Sequence, residues 1–389
     1  MTPSREQEGF ICFQDMAMTT GRRPTVAEMP PEIWGRLPEH LLDRILTLLP
    51  LRCLLSLRPT CKRFRSLLLS PSFLSQLHAG RRERGAVSAY LILAHPQFSH
   101  RFLPLYDSAA DSWRKLPISI SSSSSWQLLS SSCGLLCFST LQPPASLLVY
   151  NLLSLSSKLI PSPIQSYSSA TLITSRTPYP HGYRIFLSSS FHTSFYLYDS
   201  NSLSWTCFPI VEPLLTLANS LQDPVFFNGF LYFTTTEPFS VLGFDLSAER
   251  WETEVALEMP PELVFVRLVN SGGGKRLFLV GGVGRDGISR SLKVWEMLPG
   301  ERPRWEEIGR LPELMCRKFL SVCYHNYSHV YCLWHEGMIC ICCTTWPEVL
   351  FLRVARGTWH WLPRCPLLQE KWSCGFRWFS FAPDLYAIV

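Results

Sequence analysis

"LYDSAADSWRKLP", residues 105–117, is the stretch whose reading decides the fold, because its pattern returns five more times along the chain. The further copies are "VYNLLSLSSKLIP" (149–161), "LYDSNSLSWTCFP" (197–209), "GFDLSAERWETEV" (243–255), "VWEMLPGERPRWEEIGRLP" (294–312) and "LRVARGTWHWLP" (352–363). Trp113, Trp205, Trp251, Trp305 and Trp359 recur along the units, and the second copy has Lys158 near the Trp position. The last three steps between these tryptophans are 46, 54 and 54 residues. A four-stranded blade with its turns needs about 40 to 50 residues, so the period is that of a β-propeller.

The chemistry inside the unit agrees with the period. A strand ends in an aromatic residue and then Asp or Asn, whose short side chain can bond the backbone of the following turn. The spaced Trp then anchors the outgoing strand against the neighbouring unit. Further strands lie upstream in "GLLCF", "YRIFL", "NGFLYF" and "KRLFLVGG", so each unit is more than a hairpin. Six blades are expected, and seven stay open because "HVYCLW" and "MICICC" compete for one strand position in the sixth unit. The first unit lacks an innermost strand, and the apolar segment "CGFRWFSFAP" (374–383) is spare. That segment is expected to complete the first blade, which leaves no long exposed edge.

Outward from the repeats, the chain falls into four parts. Residues 1–32 read as a disordered tail, 33–79 as helical, 80–87 as a basic linker holding "RRER", and 88–389 as the propeller. The fold class expected is therefore α+β multidomain, a small three-helix unit followed by an all-β ring. At 47% apolar and 17% charged residues, with no unbroken apolar run of spanning length, the chain reads as soluble and folded rather than membrane-embedded. The first thirty residues hold Glu6, Glu8 and Asp15 and lack a continuous apolar core, which argues against a signal peptide. A net charge of +6 with dispersed basic residues gives no concentrated footprint for nucleic acid. The Ser-rich stretch 118–133 reads as a loop running into a strand.

Fourteen cysteines in a chain without a signal peptide read as reduced thiols in apolar strands. His325, His329, Cys332, His335, Cys340, Cys342 and Cys343 cluster within nineteen residues. They lack the paired knuckle spacing of a structural zinc site, so no metal is expected. "SGGGKRLF" (271–278) lacks the ending of a phosphate loop, and "GGVGRDG" (281–287) reads as a strand end and turn because no helix follows. Neither Gly-x-Ser-x-Gly nor His-Glu-x-x-His occurs. No cofactor and no catalytic residue is expected.

The helical part opens with "RLPEHLLDRILTLLPLRCL" (36–54). Pro38 suits a first helical turn, Glu39 suits the positive helix start and Pro50 stops the run, which gives a helix of about twelve residues, roughly 18 Å long. Leu41, Leu42, Ile45, Leu46, Leu48 and Leu49 cover more than half its circumference, where a surface helix shows one stripe. "RCLLSL" and "TCKRFRSLLL" promise two more short helices, too few to cover it. A partner is expected to supply the missing cover.

The order Leu37-Pro38, Leu42, Ile45-Leu46, Leu49-Pro50, a Leu-rich second helix, "CKRF" and "PSFLSQLH" resembles an F-box, over about residues 35–78. Thr60, preceded by Pro59, and Phe64 stand where the family commonly has Val and Trp; Thr60 is expected to cap the third helix. The repeats resemble kelch repeats, with Gly281-Gly282 matching the glycine pair. Together the chain resembles the F-box/kelch-repeat proteins abundant in plants. The resemblance implies a substrate-recognition subunit of an SCF-type ubiquitin ligase. It would bind a Skp-family adaptor, and through it a cullin, by Leu37, Pro38, Leu41, Leu42, Ile45, Leu46, Leu49, Pro50, Cys61, Lys62 and Phe64. The propeller would hold a protein substrate, in the cytoplasm, the nucleus or both, with no nucleic acid or membrane as partner. An adaptor-binding scaffold or sequestering protein outside a ligase is the alternative.

Overall fold

The computed structural model describes residues 36–49, separate positions between 53 and 76, and 89–389 apart from 99–101, 119, 121–125, 141–144, 175–181, 190–193, 211–222, 236, 253–257, 273, 301–302, 324, 385–386 and 388. The expected tail 1–32, linker 80–87 and stop at Pro50 lie outside the described residues. The chain divides into two compact units, Met1–Val87 and Ser88–Val389.

The first unit contains helix α1 (Glu39–Thr47) and helix α2 (Lys62–Leu67). Cys53, Leu54, Leu57, Ser72, Phe73 and Gln76 are also helical. α1 has nine residues instead of the expected twelve, and Pro38 is its N-cap instead of its first helical residue. In that place the missing N–H costs nothing, and the Pro38 carbonyl accepts from the N–H groups of Leu41 and Leu42 at 3.0 and 3.1 Å. Buried Leu46, Leu54 and Phe73 form the described part of its core.

The second unit is a ring of six four-stranded antiparallel sheets, which settles the count at six blades. Blade 1 is Tyr90–Ala94, Phe102–Asp107 and Ser112–Pro117, with Arg377–Phe381 as its innermost strand. Blade 2 runs through Trp126–Ser132, Leu135–Thr140, Ser146–Asn151 and Ser156–Pro161. Blade 3 follows with Tyr167–Thr174, Tyr183–Ser189, Ser194–Asp199 and Ser204–Pro209, and blade 4 with Val225–Phe227, Phe230–Thr234, Val241–Asp245 and Arg250–Glu252. Blade 5 is Leu263–Asn270, Leu277–Arg285, Ile288–Leu298 and Arg304–Arg310. Blade 6 is Val330–His335, Met338–Cys343, Trp346–Arg353 and Thr358–Trp361, so "HVYCLW" and "MICICC" are separate strands and do not compete. The spare C-terminal segment pairs antiparallel with Tyr90–Ala94, Tyr90 opposite Phe381 and Ala94 opposite Arg377, and closes the ring as expected.

Burial explains the strand sequences. All six residues of Met338–Cys343 are buried, because a middle strand presses both faces on neighbouring blades and so reads as a continuous apolar run. Outer strands such as Ser204–Pro209 keep exposed residues between half-buried ones. The described apolar core divides into clusters that each bridge two consecutive blades, all the way round, including blade 6 to blade 1 and blade 1 to blade 2. Gly282 sits where an added Cβ would come within 2.5 Å of the Phe265 ring, which gives the glycine pair a packing reason.

The turn chemistry read from the repeat is present. Asp107 Oδ1 accepts from the N–H groups of Ala109 and Ala110, Asn151 from Leu153 and Ser154, Asp199 from Asn201, and Asp245 from Ser247 and Ala248. The Trp anchors are also present. Trp113 donates its indole N–H to the Pro363 carbonyl at 3.2 Å, Trp205 to Pro161 at 3.0 Å and Trp251 to Pro209 at 3.0 Å. Each acceptor lies at or just beyond the end of the preceding blade's outer strand.

Among the described residues two elements depart from the β-like reading of residues 88–389, an α-helix and, after it, a short 3-10 helix (Tyr327–His329). Helix α3 (Glu313–Cys323) fills the crossing from blade 5 to blade 6, burying Cys316, Phe319, Leu320 and Cys323 at helical spacing.

Candidate functional site

Helix α1 carries two apolar stripes. Leu42, Leu46 and Leu49 follow at i, i+4 and i+7 on one side, and Leu41, Ile45 and Leu48 repeat that spacing on the next. On the first stripe Leu46 is 4% exposed and belongs to the unit's own core. On the second, Leu41 is 41% and Leu48 59% exposed. Ile45, between them, is half-buried, as are Leu37, Leu42, Leu49 and Phe64. Pro38, Cys61 and Lys62 are exposed. Leu48, the C-cap residue of α1, is the exposed apolar residue that the expected set omitted; its spacing from Leu41 was the available signal.

Local polar bonds hold this surface in shape. Arg63 on α2 reaches Asp43 at 3.4 Å and Glu39 at 3.6 Å on α1, both partly solvent-screened pairs that orient more than they stabilise. The cap of α2 differs from the expectation. Cys61 Sγ accepts from the Phe64 N–H at 3.4 Å, while the Thr60 hydroxyl donates backward to the Leu57 carbonyl at 2.6 Å. Thr60 lies one residue too early to reach the first turn of a helix starting at Lys62.

The ring has two unlike faces. On one lie the turns joining first to second and third to fourth strands, among them two-residue turns at 133–134, 228–229 and 336–337. The chain enters the ring on this face at Ala89 and leaves it after Phe381. On the other face lie the crossings between blades, including the described stretches 258–262, 311–323 with α3, and 362–376. Variable contacts sit most readily on such long segments over a rigid frame.

The entry and exit of the ring are pinned together. Glu336 accepts from the Ala89 N–H at 2.6 Å and from the Ser108 hydroxyl. His335 is fully buried, its Nδ1 3.0 Å from the Ser380 hydroxyl and its Nε2 3.2 Å from that of Ser108. Burial pushes this imidazole down to about 4 against the pull of Glu336, so it is neutral at pH 7.

The other members of the His/Cys cluster are likewise committed. His325 Nδ1 meets the Tyr327 hydroxyl at 3.0 Å and His329 Nδ1 the Thr344 hydroxyl at 3.2 Å. Cys332, Cys340 and Cys342 are pushed well above the usual thiol range by burial, Cys332 to about 12. Cys343 contacts the Thr345 hydroxyl at 2.9 Å. Among the described residues no group of three or more His, Cys, Asp or Glu is arranged to hold a metal ion.

Comparison with known proteins adds the following. A family model of the F-box domain matches residues 34–76. An F-box/kelch-repeat protein of Arabidopsis thaliana is 46% identical over 384 residues, covering 94% of this chain and 92% of its own. Protein ABERRANT PANICLE ORGANIZATION 1 of Oryza sativa subsp. japonica is 28% identical over 410 residues, with 94% and 92% covered. Protein UNUSUAL FLORAL ORGANS of Arabidopsis thaliana is 25% identical over 374 residues, with 87% and 80% covered.

Proposed function

The chain belongs to the F-box/kelch-repeat proteins, and from that premise we propose that it is the substrate-recognition subunit of an SCF-type ubiquitin ligase. The F-box binds a Skp-family adaptor, and through it a cullin, while the crossing face of the propeller receives a protein substrate. No catalytic residue is needed in this chain. Holding a substrate lysine beside a ubiquitin-charged enzyme raises its local concentration, and short tethers give effective concentrations on the order of millimolar. A closed ring suits that task because rigid placement loses little of the gain to chain motion.

The observation that carries this reading is the second stripe of α1. Leu41 and Leu48 remain open while Leu46, on the adjoining stripe, is sealed. An apolar stripe of this kind is what a helix-binding partner covers. Ile45 lies on it between Leu41 and Leu48, and Leu37 and Phe64 extend the proposed contact.

The test is co-purification of the full chain with a recombinant Skp-family adaptor, comparing wild type with Leu41→Asp. Loss of capture with the ring's melting temperature unchanged is the expected result. Equal capture by both proteins would remove this surface from the account. The scaffold alternative is separated by adding the cullin, since adaptor capture without cullin recruitment would favour it.

A further inference from the structure

The innermost strand of blade 1 begins with Arg377, and the innermost strand of blade 4 is preceded by Asp223. In a ring of six, these blades lie opposite one another. Both residues sit at the crossing-face ends of their strands, and Arg377 Nη2 nevertheless donates to Asp223 Oδ2 at 3.3 Å. The pair therefore spans the axial channel at its mouth. Burial pushes the Asp223 carboxyl up, against the pull of Arg377 and the Ser169 hydroxyl, as expected of a group ringed by protein. Yet 41% of the Asp223 side chain and 32% of the Arg377 side chain stay open to solvent. Both observations fit groups on the wall of a narrow opening.

The pair is loosely made. It rests on one contact at the long end of the hydrogen-bond range, where a guanidinium and a carboxylate can form two short parallel ones. The guanidinium also lies over the Phe379 ring, 5.5 Å from its centroid, which holds its plane when the carboxylate leaves. The crossing into this strand carries exposed Arg364 and Lys371 against a single acid, Glu370. Asp223 sits opposite Arg377 on a separate blade.

We propose that the channel mouth is the anchor point for an acidic segment of the protein that the ring receives, with Arg377 as the contact and Asp223 as an internal stand-in for the incoming carboxylate. This rests on the receptor reading above and deepens it. An incoming Asp or Glu displaces Asp223 and takes both guanidinium donors in a bidentate pair. Opposite signs of effect then distinguish this role from a strut: removing Arg377 weakens capture, and neutralising Asp223 strengthens it.

The experiment pans a displayed random dodecapeptide library against the full chain, its Arg377→Gln and Asp223→Asn variants, and an Arg377→Lys variant that keeps the charge without the planar fork. Wild type should enrich peptides with an Asp or Glu at one fixed position. Arg377→Gln should lose that preference, with affinity falling about tenfold or more; Arg377→Lys should keep part of it; Asp223→Asn should bind the same peptides several-fold tighter. Enrichment without an acidic position, no enrichment above the empty support, or weakening by Asp223→Asn would each overturn the proposal. Melting curves of all four proteins, with adaptor capture measured alongside, keep its failure separate from failure of folding or of the receptor reading.

Discussion

Asn151 stands where three other blades have Asp107, Asp199 and Asp245, and it is fully buried. Its Oδ1 serves the turn as the aspartates do, while its Nδ2 donates to the carbonyls of Asp384 at 3.1 Å and Ala387 at 2.7 Å. An aspartate there keeps the turn, loses both donors and sets a carboxylate against two carbonyls. Asn151→Asp should therefore destabilise the ring by about 2–3 kcal/mol and speed hydrogen exchange at residues 384–389. Asp245→Asn, whose Oδ1 accepts from its own turn at Ser247 and Ala248, should leave the ring close to wild-type stability. Paired thermal melts check this, and equal losses would refute the tail contact. The sequence shows that Asp or Asn is needed at this position, because that requirement is local turn chemistry. Which of the two is needed comes from a tail more than two hundred residues away, and no local pattern records that.

At the scale of elements, the outer strand of blade 2 differs from its counterparts. Trp113, Trp205, Trp251, Trp305 and Trp359 each pack into the seam with the preceding blade, whereas blade 2 has no Trp there: by register Ser157, opposite Tyr150, and not its neighbour Lys158, stands where Trp113 faces Tyr106 and Trp205 faces Tyr198. Ser157→Trp should restore the anchor, bringing an indole N–H toward the Pro117 carbonyl and burying one more ring in the seam between blades 1 and 2. A gain of about 1–2 kcal/mol is expected, read as a rise of a few degrees in Tm. A lower Tm would mean that Trp126 and Ile118, which already pack there, leave no room. Strand hairpins were legible because the repeat states their chemistry six times over. Helix α3 was equally written, as Cys316, Phe319, Leu320 and Cys323 at helical spacing, but it occurs once, and a reading tuned to repeats passes over it. The boundaries of α1 and the Cys61 cap depend on backbone geometry at single residues, where composition is a weak guide.

At the scale of the whole molecule, the closing strand links more than its own blade. Phe376 and Trp378 belong to the core between blades 6 and 1, Phe379 and Phe381 to that between blades 1 and 2, and Ala387 and Val389 pack on that between blades 2 and 3. Deleting residues 370–389 should consequently abolish the single cooperative transition of the ring; a truncated chain that melts at the wild-type temperature would show that closure is dispensable. Closure was legible from a strand deficit in the first unit and a surplus after the last, a counting argument that needs no geometry. The crossing face was not legible in detail, because the crossings share no repeat. The apolar surplus of α1 was legible as an excess of leucine, but which stripe faces outward depends on which one the unit's own core takes. The central claim is that Leu41 and Leu48 stay open until an adaptor covers them. Hydroxyl-radical footprinting of the full chain, alone and with a Skp-family adaptor, tests it most directly. The account predicts strong labelling of both leucines in the free chain and protection on complex formation; protection already present in the free chain would contradict it.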